Sequence, residues 1–337
     1  MKTYQDKDIV QNHNFTKLNE LEIYALINYI LSHDINMKEV LNIKDNNTYG
    51  IEIEFDNIRN KKIIKDEFKK QEIKYVNILS PYNRLNDNND KWIYTDEFTL
   101  KKGYEINSPI LKNTKEEWLK IIDICNLLNE HAQITNNCAG HIHIGSQVLG
   151  DNPKAWLNFL KIWSVYENII YRFSYGEYSK PRTLCKTFSK PISSEAYCLY
   201  YELKKSTNIE EIISSVNNVF NKYDKAFNLE NVKTKNINTP ANKNTIEIRC
   251  PNGTLNPIIW QNNIYFFIKL LEYCNSTKYN DDIIERRIRK EDLCSYDLSN
   301  YNDIHFSQAL ELSNMIYNSD KDKICFLKQY VNKTKKF

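Results

Sequence analysis

TYGIEIEFDN, residues 48–57, alternates with a period of two. On an extended strand that period sends Ile51, Ile53 and Phe55 to one face and Glu52 and Glu54 to the other. Carboxylates one repeat apart stand about 7 Å from each other. At an effective dielectric of about 20 they repel by about 2 kcal/mol. A cation between them removes that cost, so the stretch reads as part of a surface that binds something positive.

Two later stretches repeat the design. HIHIG places His141 and His143 opposite Ile142 and Ile144, and NTIEIRC places Glu247 and Arg249 opposite Ile246 and Ile248. GYEINSP adds Glu105 in the same style. The ordinary alternative is a half-exposed antiparallel sheet whose polar residues face water. Solvated strand faces carry lysine, serine and threonine, whereas these carry carboxylates and the single HxH among six histidines. Carboxylate sets suit magnesium, and an added imidazole also admits manganese. A metal-dependent hydrolase fits such ligands as well, because a divalent ion can activate water. Arg249, on the face of Glu247, favours phosphate, which a guanidinium grips with two parallel hydrogen bonds.

The bulk composition narrows the classes. The chain has 337 residues, 41% of them hydrophobic, enough for a sizeable core. Its 46 basic and 43 acidic residues are interspersed and leave a net charge of +3, so no general affinity for nucleic acid is implied. No N-terminal apolar run reads as a leader, and the longest apolar stretch, IYFFIKLLEYC, is broken by Lys269 and Glu272. A soluble, cytoplasmic protein without a membrane partner is expected. The eight cysteines form no CxxC pair, so a zinc ribbon or redox motif is not expected and the thiols should be reduced and mostly buried. Glycine is scarce, 7 residues where an average chain of this length carries about 24. Gly50, Gly103, Gly140, Gly145 and Gly253 lie in or beside the polar strands and are expected to mark a ligand site.

Helical periodicity appears over residues 16–31, with a second short helix expected near Met37. Thr114 and Glu117 form a capping box before WLKIIDICNLLNEH, and Pro153 opens a helix running through AWLNFLKIWSVYENIIYRF. A largely buried helix follows over 258–274, then three amphipathic segments near 281–290, 303–317 and 321–334. The Asn-rich stretches 83–90 and 231–244 read as loops. The class is α+β. Three regions are expected: a helical extension over 1–45, a catalytic domain over 46–276 and a helical region over 277–337 packed on it.

Taken in order, YGIEIEF, GYEINSPIL, CAGHIHIG, KYDKAFNL and TIEIRCPNGTLN resemble the blocks of the amidoligase branch of the glutamine synthetase and glutamate-cysteine ligase superfamily. The resemblance covers residues 49–256. It implies a curved, largely antiparallel sheet with helices on its outer face. It also implies an ATP-dependent C–N ligase that joins a small-molecule or peptide carboxylate to an amine through an acyl phosphate, with ATP and Mg2+ (or Mn2+) as cofactors. Residue by residue, Glu54 and Glu105 match ligands of a metal near the substrate. Glu52, His141 and Glu247 match ligands of a metal on the ATP phosphates, and Arg249 matches the residue that steadies the transferring phosphate. Turnover is then expected to rest on Arg249, Glu247 and Glu54. His143 is expected to face nucleotide or substrate, and Asn228, Arg182 and Lys186 to contact phosphates or a substrate carboxylate. Asp96 matches an acidic position of the branch, although Glu97 and Phe98 follow it where the branch often has serine. A binding module without turnover would be expected to lose some of these side chains, and none is lost.

Overall fold

The alternation in TYGIEIEFDN is realised as β1, Tyr49–Phe55, at the centre of a seven-stranded sheet. The computed structural model describes residues 20–76, 91–100, 103–178, 180–182, 189–220, 224–238, 244–288 and 303–332. The other strands are β2 (Lys74–Tyr75), β3 (Ile93–Asp96), β4 (Tyr104–Asn107), β5 (Gly140–Gly145), β6 (Phe227–Asn228) and β7 (Thr245–Ile248). Their order is β2-β3-β4-β1-β5-β7-β6, antiparallel throughout except for β2 beside β3. Both edge strands are two residues long, which leaves little free edge to pair with another chain.

The helices are α1 (Glu20–Ser32), α2 (Lys61–Lys70), α3 (Lys115–His131), α4 (Pro153–Ser174), α5 (Ser193–Leu203), α6 (Ile209–Val219), α7 (Pro257–Cys274), α8 (Asp281–Ile288), α9 (Asp303–Ile316) and α10 (Asp320–Val331). Three start by the expected chemistry: Thr114 accepts from the Glu117 N–H at α3, while Asn152 and Asn256 cap α4 and α7 ahead of proline. α4 is buried on nearly every side and packs against α5, α6, α7, α8, α9 and α10, as a helix apolar all round must. Its Lys161 is fully buried and pairs with Asp281, at 2.6 Å, and Glu285 of α8. α7 reaches β5, α3, α9 and α10, so the aliphatic face of the sheet and these helices form one continuous core.

The short helix expected near Met37 is absent. The backbone N–H groups of Lys38, Leu41 and Lys44 donate instead to Gln261, Asn113 and Glu272 side chains, which leaves them unavailable for a helical ladder. The stretch thus lies along α7 and the start of α3. The segment 83–90 lies outside the described residues, as does part of 231–244. α10 packs on α1, Lys38 pairs with Asp322, and Lys328 donates to the His33 carbonyl.

Gly140 has a different use from the one expected. A Cβ at Gly140 would lie 2.8 Å from the Trp260 ring and 2.9 Å from the Asn252 carbonyl, so this glycine admits α7 to the aliphatic side of β5. Positive φ occurs at Gly150 and Gly176, away from the five positions flagged by sequence. Cys125, Cys138, Cys198, Cys250, Cys274 and Cys325 are free thiols, four of them buried, while Cys185 and Cys294 lie outside the described residues. Among the described residues no helix is long and apolar enough to cross a membrane.

Candidate metal and phosphate site

Register brings the polar residues of separate strands into one row. Glu52 pairs with His141, His143 with Glu247, and Glu54 with Glu105. Paired residues of an antiparallel sheet share a face, so all of these side chains rise from the same side. That side is not a solvated face: Glu54, His141 and Glu247 are 6%, 5% and 7% exposed.

The row resolves into two clusters. In the first, ligand atoms of Glu52, His143 and Glu247 lie within 4.8 Å of one another. Glu52 sits between two imidazoles, its Oε1 2.8 Å from His143 Nε2 and its Oε2 2.8 Å from His141 Nδ1. Burial opposes a charge on Glu52, but the His143 charge and hydrogen bonds to both rings outweigh it and hold the carboxyl well below the usual range. His143 is affected in the complementary sense. Burial works against its proton, Glu52 more than restores it, and the imidazole is raised above its usual value. Thr245 Oγ1 lies 3.2 Å from His143 Nδ1 and fixes the ring. Glu247 pairs with Arg249 Nη1 through one oxygen and accepts from Asn228 Nδ2 at 2.7 Å through the other.

The second cluster is Glu54, Glu97 and Glu105, again within 4.8 Å. Burial lifts Glu54, against the opposing charges of His141 and Arg182 and the 2.6 Å hydrogen bond from the Ala139 N–H. Burial and then the Glu52 charge push Glu105 well above the usual carboxylate range. Asn107 Nδ2 donates to Glu105 at 2.6 Å and orients it. Thr95 stands opposite Glu105 on the same face, and its buried hydroxyl has no hydrogen-bond partner among the described residues.

These donors suit divalent cations. Two carboxylates with an imidazole, and three carboxylates beside a buried hydroxyl, are oxygen-rich sets of the kind that magnesium and manganese accept. His141 Nε2 is also buried without a partner among the described residues, a nitrogen left for something outside the chain.

The expected residues divide as follows. Glu52, Glu54, Glu105, His141, His143, Glu247, Arg249 and Asn228 come together on the one face. Within the first cluster His143, rather than His141, has the nitrogen grouped with Glu52 and Glu247. Arg182 lies beside this face, where its Nη2 donates to Ser189 Oγ and, at 3.2 Å, to the Arg249 carbonyl. Lys186 lies outside the described residues. Asp96 points away, because it pairs with Tyr104 in register and accepts from the Tyr75 hydroxyl on the helix side. Its neighbour Glu97 joins the cluster instead. Strand alternation in YTDEF holds that signal, since Thr95 and Glu97 must share a face that Asp96 cannot.

Residues 45–271 match the sequence model of the family described as "Putative amidoligase enzyme". No curated protein matches the chain significantly in sequence. Among solved structures, the crystal structure of a bifunctional glutathione synthetase from Pasteurella multocida superposes with a TM-score of 0.45 at 11% identity. The superposition covers 86% of this chain and 48% of that one, so the chain spans about half of that protein's length.

Proposed function

From the premise that the chain belongs to the amidoligase family, we propose that it is an ATP-dependent carboxylate-amine ligase working through an acyl phosphate. The observation that carries this reading is the buried row in which two acidic clusters flank a common strand and Arg249 stands at one end. A carboxylate becomes an acyl donor when one of its oxygens is made a phosphate leaving group. The acid oxygen attacks the γ-phosphorus of ATP and ADP departs. An amine then attacks the acyl carbon, phosphate departs, and the nitrogen gives up a proton.

In this reading Glu52, His143 and Glu247, with His141 beside them, would hold a divalent ion, and Glu54, Glu97 and Glu105 would hold a second. Such ions spread the negative charge of the phosphoryl group in flight. Arg249 would offer a planar fork to the transferring phosphate. Arg182 acts one step back, holding the Arg249 carbonyl and so the start of that side chain. Asn107 and Thr245 keep Glu105 and His143 in their rotamers. Residues 46–276 are the catalytic unit, and the flanking helices brace it.

The decisive experiment replaces the amine with hydroxylamine. With magnesium, ATP and a competent acid, hydroxamate should form with one ADP for each. ADP without hydroxamate, or AMP with pyrophosphate, rejects the acyl-phosphate route. Amide hydrolysis that needs metal but no ATP would establish the hydrolase in its place.

A further inference from the structure

Beside the start of β5 and the end of β7 the surface opens into two adjoining cavities of about 320 and 550 Å³, which share Ile134 and Tyr178 as a common wall. The smaller one adjoins the second cluster through two of its lining residues, although no residue of that cluster lines it. Its lining includes Cys138, next to the residue whose N–H binds Glu54, and Arg182, whose charge Glu54 feels. The larger one leads away from that point along the C-terminal half of α3 to the start of α7.

Each chamber alone is of a size that takes a small ligand, and the two in series are longer than one free amino acid requires. Their polar groups are mostly amides. Asn126 and Asn129 project from one face of α3, a turn apart, into the larger chamber, and Asn136 borders the smaller. None of these three side-chain amides makes a hydrogen bond to another described residue. A primary amide offers both donor and acceptor, the pair that a peptide backbone presents at every residue. The charged groups are Arg59 and Glu177 in the larger chamber and Lys180 and Arg182 in the smaller, where two cations suit a single carboxylate. A polyphosphate would need cations along its length, and the larger chamber offers only Arg59, with the Glu177 carboxylate in the same lining.

We infer that the groove binds an extended peptide. The acid substrate is then a carboxylate carried on a peptide chain, with its reacting group beside Arg182 and Glu54 and the flanking backbone along Asn136, Asn129 and Asn126. The chemistry in this inference rests on the ligase reading; the binding does not.

The test therefore begins without ATP. The full chain is dialysed to equilibrium against a pool of random pentapeptides, each with one aspartate or glutamate, and separately against free aspartate and glutamate. Peptides should be retained and the free amino acids should not. The double variant Asn126→Ala, Asn129→Ala, at two exposed helical positions, should melt like the wild type and retain at least fivefold less peptide. No retention by the wild type, or equal retention by the variant, overturns the inference. Hydroxamate is then measured with magnesium and ATP on both pools. A rate with free amino acids equal to that with peptides also overturns the peptide groove while leaving the ligase intact. Retained peptides that never give ADP reject the ligase and leave the groove standing.

Discussion

Glu52 and His143 face each other across β1 and β5 with Oε1 and Nε2 2.8 Å apart, and each moves the other toward its charged form. A divalent ion entering there must displace the imidazole proton. Manganese added to lightly buffered protein near neutral pH is expected to release protons. His143→Ala should remove most of the manganese-dependent rise in melting temperature. If His141→Ala removes that rise and His143→Ala does not, the ligand is the histidine indicated by the family resemblance, and the cluster drawn from the geometry is wrong.

Glu105 gives a different outcome for stability and for function. Burial and then the Glu52 charge push its carboxyl well above the usual range, so the neutral, similarly shaped glutamine should cost the metal-free fold little. Glu105→Gln is expected to melt within about 1 kcal/mol of the wild type and to lose its response to magnesium and its ATP turnover. Calorimetry with and without magnesium, followed by an ADP assay, reads both. Full activity in this variant would remove the second metal from the scheme.

Arg249→Lys keeps the charge beside Glu247 and loses the planar fork. Its rate of ADP formation is expected to fall by about 100-fold, the scale on which removing one oriented donor slows phosphoryl and acyl transfers. The magnesium-dependent melting shift should stay. Unchanged turnover would make Arg249 an ion-pair partner within the sheet and no more.

Glu167 tests how α5 is held. Its carboxylate accepts from Trp163 Nε1 at 2.8 Å, from the Ile192 N–H at 2.7 Å and from the Ser193 N–H at 2.8 Å. Glu167→Ala strands three buried donors and should cost about 3 kcal/mol in denaturant melts. Burial, against those bonds, raises the Glu167 carboxyl to about 7. The folded state therefore binds a proton that the unfolded chain has already released. The resulting stabilisation is complete below the ordinary value of 4.5 and is lost as pH rises through about 7. The variant should show a smaller fall in stability than the wild type between pH 5 and pH 8. Parallel curves would place the titration elsewhere.

Much of the candidate site was legible because alternation on a strand is a local property. Reading Glu52 with Glu54, His141 with His143, and Glu247 with Arg249 needed only the period of two. Register is not local, and it decides that Glu52 meets both histidines and that Glu105 lies opposite Glu54 and Thr95. Glu97 shows a signal that was present and passed over, since the period that organised the other strands also separates it from Asp96. The Thr114 capping box located α3, and Pro153 located α4. α5 begins without a side-chain cap of its own and takes one from Glu167, 26 residues earlier, which no neighbouring residue announces. Gly140 was legible as a close approach, but the partner is the Trp260 ring rather than a ligand.

The embrace of α1 by α10 also sets a timetable. α1, with Leu26 and Ile30 made for burial, leaves the ribosome nearly 300 residues ahead of α10. At about 5–20 residues per second the first helix waits roughly 15–60 s for its partner. The sheet and its buried carboxylates can be assembled during that interval, and the salt bridge from Lys38 to Asp322 can form only after it.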